Sequence, residues 1–593
     1  MALLPNLKLS GGTAVRLDVF GGIDRTAEAR EGTWREETNL TARDYPALAT
    51  RSPRRYLGTL TAPGGMTAKD AVAWVDDGKL YYNGTEVLDG LSTGEKHLVS
   101  MGAYLLIFPD GKWINTQKLT ETGNIDNAVT VSGGVRVCLC DATAQAYTYT
   151  EGAIAPLEPQ DGARWLDTGG EEVTLKEWSE SNQTWYTIVT VYVKLSGTNI
   201  AAGFSQYDGV QLAGLTGGAE VLNGNRVIYG AHHDAETPGN DYIITVGLIT
   251  GGAATVSEAV TVSRKAPVMD YVIECDNRLW GCKYGVVNGE ALNEIYASKL
   301  GDFKNWNCFM GLSTDSYAAA RGSDGVFTGA ITYLGHPLFF REDCIEKLYP
   351  SASGAHQIVT VAARGVQKGC YRSLAIVGET LYYKSRDGVC AYTGSLPASV
   401  GQVLGDRPYS DARAGAVGEL YYLSMCDGDS RWHLFTCDTR RGIWHREDDT
   451  CALCFAAMDG RMYWIDETTR RIICADDTDT DLNWYGTGTA EDMDETEWSA
   501  ESGVIGYETT ENKYVRRFVI RAETEGRIHL ELRYDESPWE DKGTWYGDGL
   551  RSFVLPVSPR RCDHLRIRIS GTGACRIYSI AKYIEKGSDV SRR

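Results

Sequence analysis

The side chains best suited to chemistry are few and scattered. Cys138-Leu139-Cys140 and Cys451-Ala452-Leu453-Cys454 are the closest thiol pairs. Each lies in an apolar run without a second pair at zinc-ribbon spacing, so buried structural thiols are expected. Asp477, Asp479 and Asp481 imitate the start of a calcium loop, but the sixth position is Leu482 and the twelfth Gly488. The loop needs glycine and a bidentate glutamate there, so a solvated acidic linker is expected instead. His232-His233-Asp234 has no second histidine cluster to complete it and reads as a surface loop. No phosphate-binding G-x-x-x-x-G-K-[ST] occurs. Glycoside hydrolysis needs two carboxylates across a cleft, yet the repeated Asp-box S-x-D-x-G-x-T-W is missing, and Ser313-Thr314-Asp315-Ser316-Tyr317 lacks its Gly and Trp. Pro559-Arg560-Arg561 is a small basic spot at a strand entry. The expectation is a chain that is not an enzyme, with no catalytic residue, metal or cofactor.

The elements that carry these residues are β. Against 16 prolines stand 66 glycines, 33 tyrosines and 15 tryptophans, a composition of tight turns and aromatic strands. With 59 Lys+Arg against 79 Asp+Glu, the net charge of −20 excludes a protein that grips nucleic acid through an overall basic surface. No apolar run approaches the ~18 residues of a membrane span. Met1–Lys8 lacks the apolar core and cleavage site of a secretory signal, so synthesis in a reducing cytoplasm is expected. The odd number of cysteines, 15, fits free thiols better than a disulfide framework.

One pattern recurs seven times, a Gly or Asp turn followed by an apolar-aromatic strand: 76–82, 101–108, 275–281, 334–340, 377–383, 417–422 and 458–464. Leu338, Leu381, Leu420 and Met462 in the later copies are 43, 39 and 42 residues apart. A period near 40 with short strands predicts an all-β, divergent β-propeller of about seven blades; ordinary hairpins in a sandwich are the alternative. The expected organisation is an extended N-terminal arm (1–60), propeller (61–117 and 266–476) with an inserted β-domain (118–265), an acidic linker (477–497) and a C-terminal β-sandwich (498–593). In the last, Leu565, Ile567 and Ile569 alternate with Arg566 and Arg568, the period-2 pattern of a half-buried sheet.

Three segments carry a resemblance. Asn293–Phe309, Gly322–Ala330 and Pro337–Glu342 look like the β-propeller hub, nozzle or "stabilisation" virion proteins of tailed bacteriophages and prophages. Phe20-Gly21-Gly22-Ile23-Asp24, Asn39-Leu40, Tyr45-Pro46 and Arg51 are similar to the arm that opens such proteins. The resemblance implies a homo-oligomeric ring, usually of six, below the portal and adaptor. Such a ring anchors fibre or tip proteins, and double-stranded DNA passes it without specific binding. An acidic wall would lower friction on phosphate. Asp24, Arg25, Tyr45, Arg51, Arg54 and Arg55 are the expected partner-binding residues, and the virion is the expected location. The alternatives are a tail-tip glycan-degrading propeller enzyme and an adhesin stacking sugar on Trp165, Trp178 and Trp185.

Overall fold

The computed structural model describes residues 13–27, 29–475, 484, 489–506, 511–557 and 560–586. Among these the chain is strand and turn, with four short 3-10 turns and no α-helix. It forms two compact units. One comprises Met1–Lys96, Phe340–Ile345 and Thr360–Arg593, the other His97–Phe339 and Glu346–Val359.

The repeat builds the blades of a β-propeller. The first unit holds the sheets 63–88, 375–399 and 409–448, and a sheet of Ala452–Met458, Arg461–Asp466 and Arg471–Cys474. Arg55–Thr59, from the far end of the chain, completes this last blade by pairing antiparallel with Arg471–Cys474. The second unit holds the blades 97–124 and 271–320, and the boundary runs through the blade 329–362. Blades stack face to face, so their inner strands are buried on both sides and lose the usual alternation. That is why Tyr421, Tyr422, Leu423 and Met425 are consecutive or near neighbours and all buried. In the first unit Trp74 and Val72 of one blade pack with Ile465 and Tyr463 of the next. In the second, Trp280 and Cys282 pack with Phe339 and Leu348. Each such fully buried side chain contributes about 1.5–3 kcal/mol.

The seven turns of the pattern are two-residue hairpins of the primed kind. Asp77-Gly78, Asp276-Asn277, Leu334-Gly335 and Asp459-Gly460 have positive φ at both central positions, and Gly102, Gly378 and Gly418 at the first. Six turns join the first two strands of their blade, whereas Asp77-Gly78 joins the second and third of its own. Leu334 is the misfit, a leucine at φ 49° with 62% of its surface exposed. Left-handed backbone disfavours leucine more than asparagine, and no packing is at stake here. Leu334→Asn is therefore expected to raise stability by about 1 kcal/mol, read as an upward shift of the urea midpoint.

The N-terminal segment is not an extended arm. Thr13–Leu17, Leu40–Thr41 and Leu48–Thr50 join a sheet with Lys513–Thr524, Gly549–Pro556 and Cys575–Lys586. Gly22–Ile23 and Thr33–Thr38 join a second sheet with Glu497–Ser502, Leu565–Thr572, Arg527–Tyr534 and Glu540–Tyr546. The two inner faces share one core in which Phe20, Trp34, Leu40 and Leu48 pack with Phe518, Ile520, Leu530 and Ile569. The C-terminal sandwich is therefore built from both ends of the chain. Hydrophobic positions at 20, 34, 40 and 48 gain burial only by joining it.

The inserted domain is an eight-stranded sheet whose path begins with Asn127–Val131 beside Val260–Arg264 and ends on Ala254–Val256, with a separate four-stranded sheet of 150–187. All eight strands contribute to a single core, including Val131, Val137, Val193, Val210, Ile228, Ile243, Val256 and Val262. The sheet is thus folded over on itself.

Candidate functional site: two domain joints and a cationic pocket

Several of the residues that carry the resemblance lie at joints. In the first unit the sandwich meets the blade strand Ile443–Asp448. Gly22, at φ 71°, brings its backbone so close to that strand that a Cβ would lie 2.2 Å from the Trp444 carbonyl oxygen. Asn39, at φ 58°, donates its amide N–H to the Glu447 carbonyl (2.6 Å) and its side-chain amide to the Glu497 carbonyl (2.8 Å). Arg51 donates Nε to Asn39 Oδ1 (2.8 Å) and both terminal nitrogens to Glu491 (2.7 Å each). Arg54 bridges Glu447 (2.7 Å) and Asp448 while its guanidinium lies over Trp464 at 5.0 Å. Burial opposes ionisation of Asp448, but Arg54 and the Thr450 hydroxyl and amide outweigh it and hold the carboxyl at about 2.

This arrangement occupies most of the expected partner-binding residues inside the chain. Arg51, Arg54 and Arg55 are buried. Asp24 accepts from the amide and hydroxyl of Thr26 (3.0 and 2.7 Å). Arg25 donates to Tyr409 Oη (2.7 Å) and pairs with Glu36 (2.6 Å). Tyr45 stays at the surface under the Arg441 guanidinium, 5.0 Å away. Glu491, which the sequence places in a solvated linker, is a half-buried joint residue paired with Arg51. Asp477, Asp479 and Asp481 lie outside the described residues.

The second joint lies in the other unit, within the resembling segment Asn293–Phe309. Asn305, 1% exposed, accepts from the Gly209 amide of the inserted domain (2.9 Å) and donates to Asp208 Oδ1 (3.0 Å). Asp208 in turn pairs with Arg264 at the exit of the insertion. Phe303 and Trp306 anchor the segment in the core of the neighbouring blades.

Beside the first joint runs a buried polar chain. Arg446 Nε donates to His433 Nδ1 (2.8 Å), which makes that nitrogen an acceptor and leaves Nε2–H to donate to Asp427 (3.0 Å). Burial, with Arg446 and Arg25 nearby, lowers the proton affinity of His433 despite Asp427. Asp427 itself is held at about 2: burial works against ionisation, and His433 with the Arg431 and Asp429 amides overcomes it. An unfolded imidazole takes a proton near pH 6.5 and the folded one resists, so the unfolded state binds more protons below that pH. Stability of this unit is expected to fall as pH drops from about 6.5, and the slope of the urea midpoint against pH should flatten in His433→Gln.

The remaining candidates have structural surroundings. All 15 cysteines are free thiols, and burial pushes Cys140 and Cys451 up to about 12. His233 Nδ1 meets the fully buried Asp241 (2.6 Å), which also accepts from the Asp234 amide, so the His-His-Asp run is a tied surface loop. Trp185 packs against both Trp165 (5.5 Å) and Trp178 (5.4 Å), with Trp165 buried. Arg560 pairs with Glu540 (2.5 Å), and Pro559 lies outside the described residues. Gly90-Leu91-Ser92-Thr93-Gly94 has the spacing of a nucleophile elbow. It occupies a loop between strands without the following helix that such an elbow requires, and Lys96 Nζ donates to Ser92 Oγ (2.6 Å).

One open site adjoins the first joint. A pocket of about 610 Å³ is lined by Arg25, Lys384, Arg386 and Arg407, by Asp387 and Asp406, and by Gln402, Ser399 and Tyr409. It draws on residues 25–27 and 384–425. Nothing local in the sequence marks it except the recurrence of arginine near turns.

No protein-family model matches the chain, and no curated protein matches it in sequence. Among solved structures, exo-β-1,3-galactanase from Phanerochaete chrysosporium, crystallised with galactose, is 8% identical over 53% of this chain and 95% of its own (TM-score 0.22). BamB from Moraxella catarrhalis is 10% identical over 72% and 97% (TM-score 0.28). PorZ from Porphyromonas gingivalis is 11% identical over 85% and 71% (TM-score 0.22). At these scores the likeness is one of strand architecture and assigns no activity. It does correct the expectation that the chain is not an enzyme. Several of the similar structures are glycoside hydrolases, and the absence of an Asp-box does not exclude two carboxylates placed across a cleft.

Proposed function

We propose that the chain is a structural component of a phage-type tail, a propeller platform that assembles with copies of itself into a ring and holds adaptor, fibre or tip proteins. The observation that carries this reading is the placement of four of the resembling residues. Gly22, Asn39 and Arg51 in one unit and Asn305 in the other sit where a decorating domain is fastened to a blade. Such fastening suits a part that bears load and presents domains to partners. The net charge of −20 fits a conduit that repels DNA phosphate. Light scattering of the purified chain at physiological salt tests the reading. The expected mass is a fixed multiple of the 65.1 kDa chain; a monomer at tens of micromolar would contradict it.

A further inference from the structure

An acidic chain here gathers four cationic side chains around an open volume, and their charges are incompletely neutralised. Arg25 and Arg407 share a single carboxylate, one on each oxygen of Glu36 (2.6 and 2.7 Å). Arg407 uses one terminal nitrogen for this contact, which leaves the rest of its five-donor fork available. Arg386 is exposed and makes no hydrogen bond or ion pair among the described residues. Lys384 is 3% exposed, and its ammonium donates to Gln367 Oε1 (2.6 Å) and the Ser385 carbonyl (2.5 Å), with no carboxylate at ion-pair distance. Burial lowers its proton affinity, and an anion bound nearby would oppose that.

The acceptors in the wall narrow the class of anion. Asp406 makes no hydrogen bond among the described residues, and Asp387 pairs with Arg364 at 3.2 Å. Two carboxylates beside the cations repel a compact dianion such as phosphate but accept well from hydroxyl groups. The volume falls in the range of small-molecule sites and accommodates a sugar unit, and Tyr409 and Pro408 supply apolar wall. We propose that this pocket binds a carboxylated sugar of the uronic or sialic type, its carboxylate on Arg386 and Arg407 and its hydroxyls on Asp406 and Gln402. The proposal is independent of ring formation.

Titration calorimetry of the full chain with glucuronate, galacturonate and N-acetylneuraminate tests it, with galactose and inorganic phosphate as controls. At least one acidic sugar is expected to bind, to weaken with added salt, and to lose about tenfold or more in affinity in Arg386→Ala and in Arg407→Ala. Arg386 has no internal partner to lose, so R386A should keep the parent unfolding midpoint and separate lost binding from lost folding. Galactose binding as tightly as the acids, phosphate binding as tightly as the sugars, affinity indifferent to both substitutions, or no binding at millimolar sugar would each overturn the proposal.

Discussion

Arg54→Ala is expected to destabilise the first unit by about 3–5 kcal/mol, the range for breaking a buried ion pair by removing one partner. Its side chain is 5% exposed, and the Glu447 carboxylate that it meets is 7% exposed. Truncation leaves Glu447 and Asp448 side by side without their cation and removes the guanidinium from the face of Trp464. Arg54→Lys keeps a charge but not the planar fork that reaches both acids, so it should recover only part of the loss. Hydrogen exchange along Ile443–Asp448 and Arg55–Thr59 reads the effect, because both strands meet at this residue. A loss under about 1 kcal/mol would place the joint's stability elsewhere.

Gly22→Ala should have the next largest effect, about 3 kcal/mol or more. Two causes add: left-handed backbone costs a residue with a Cβ about 1–2 kcal/mol, and forced overpacking about 1–3 kcal/mol. The added carbon would sit 2.2 Å from the Trp444 carbonyl oxygen and 2.7 Å from Ile443 Cγ2, and the oxygen belongs to backbone that cannot turn aside. Gly21→Ala is the control, since its nearest neighbour is the Thr33 methyl at 3.0 Å. It should cost under about 1 kcal/mol, so equal urea midpoints for the two variants would refute the close approach at Gly22.

The blades were legible because their signal is local. Asp77-Gly78 or Gly418-Glu419 sets a hairpin within a few residues, and the aromatic run that follows reports burial on both faces. The sandwich was legible only in its C-terminal half. Pairings such as Leu48 with Ile577 and Thr13 with Ile584 join opposite ends of the chain, and a short strand next to charges looks the same whether or not a distant partner exists. The same blindness affects charge. Arg51 and Arg54 read as partner-binding residues because the carboxylates that neutralise them, Glu491 and Glu447, lie 440 and 393 residues further on. The cationic pocket escaped for the same reason, since Arg25 and Arg407 face one cavity from two separate segments.

Images of the isolated chain by negative-stain electron microscopy test the platform reading most directly. The expected class averages show a closed ring of identical subunits with an axial channel, and a homogeneous field of single compact particles at the same concentration would contradict it.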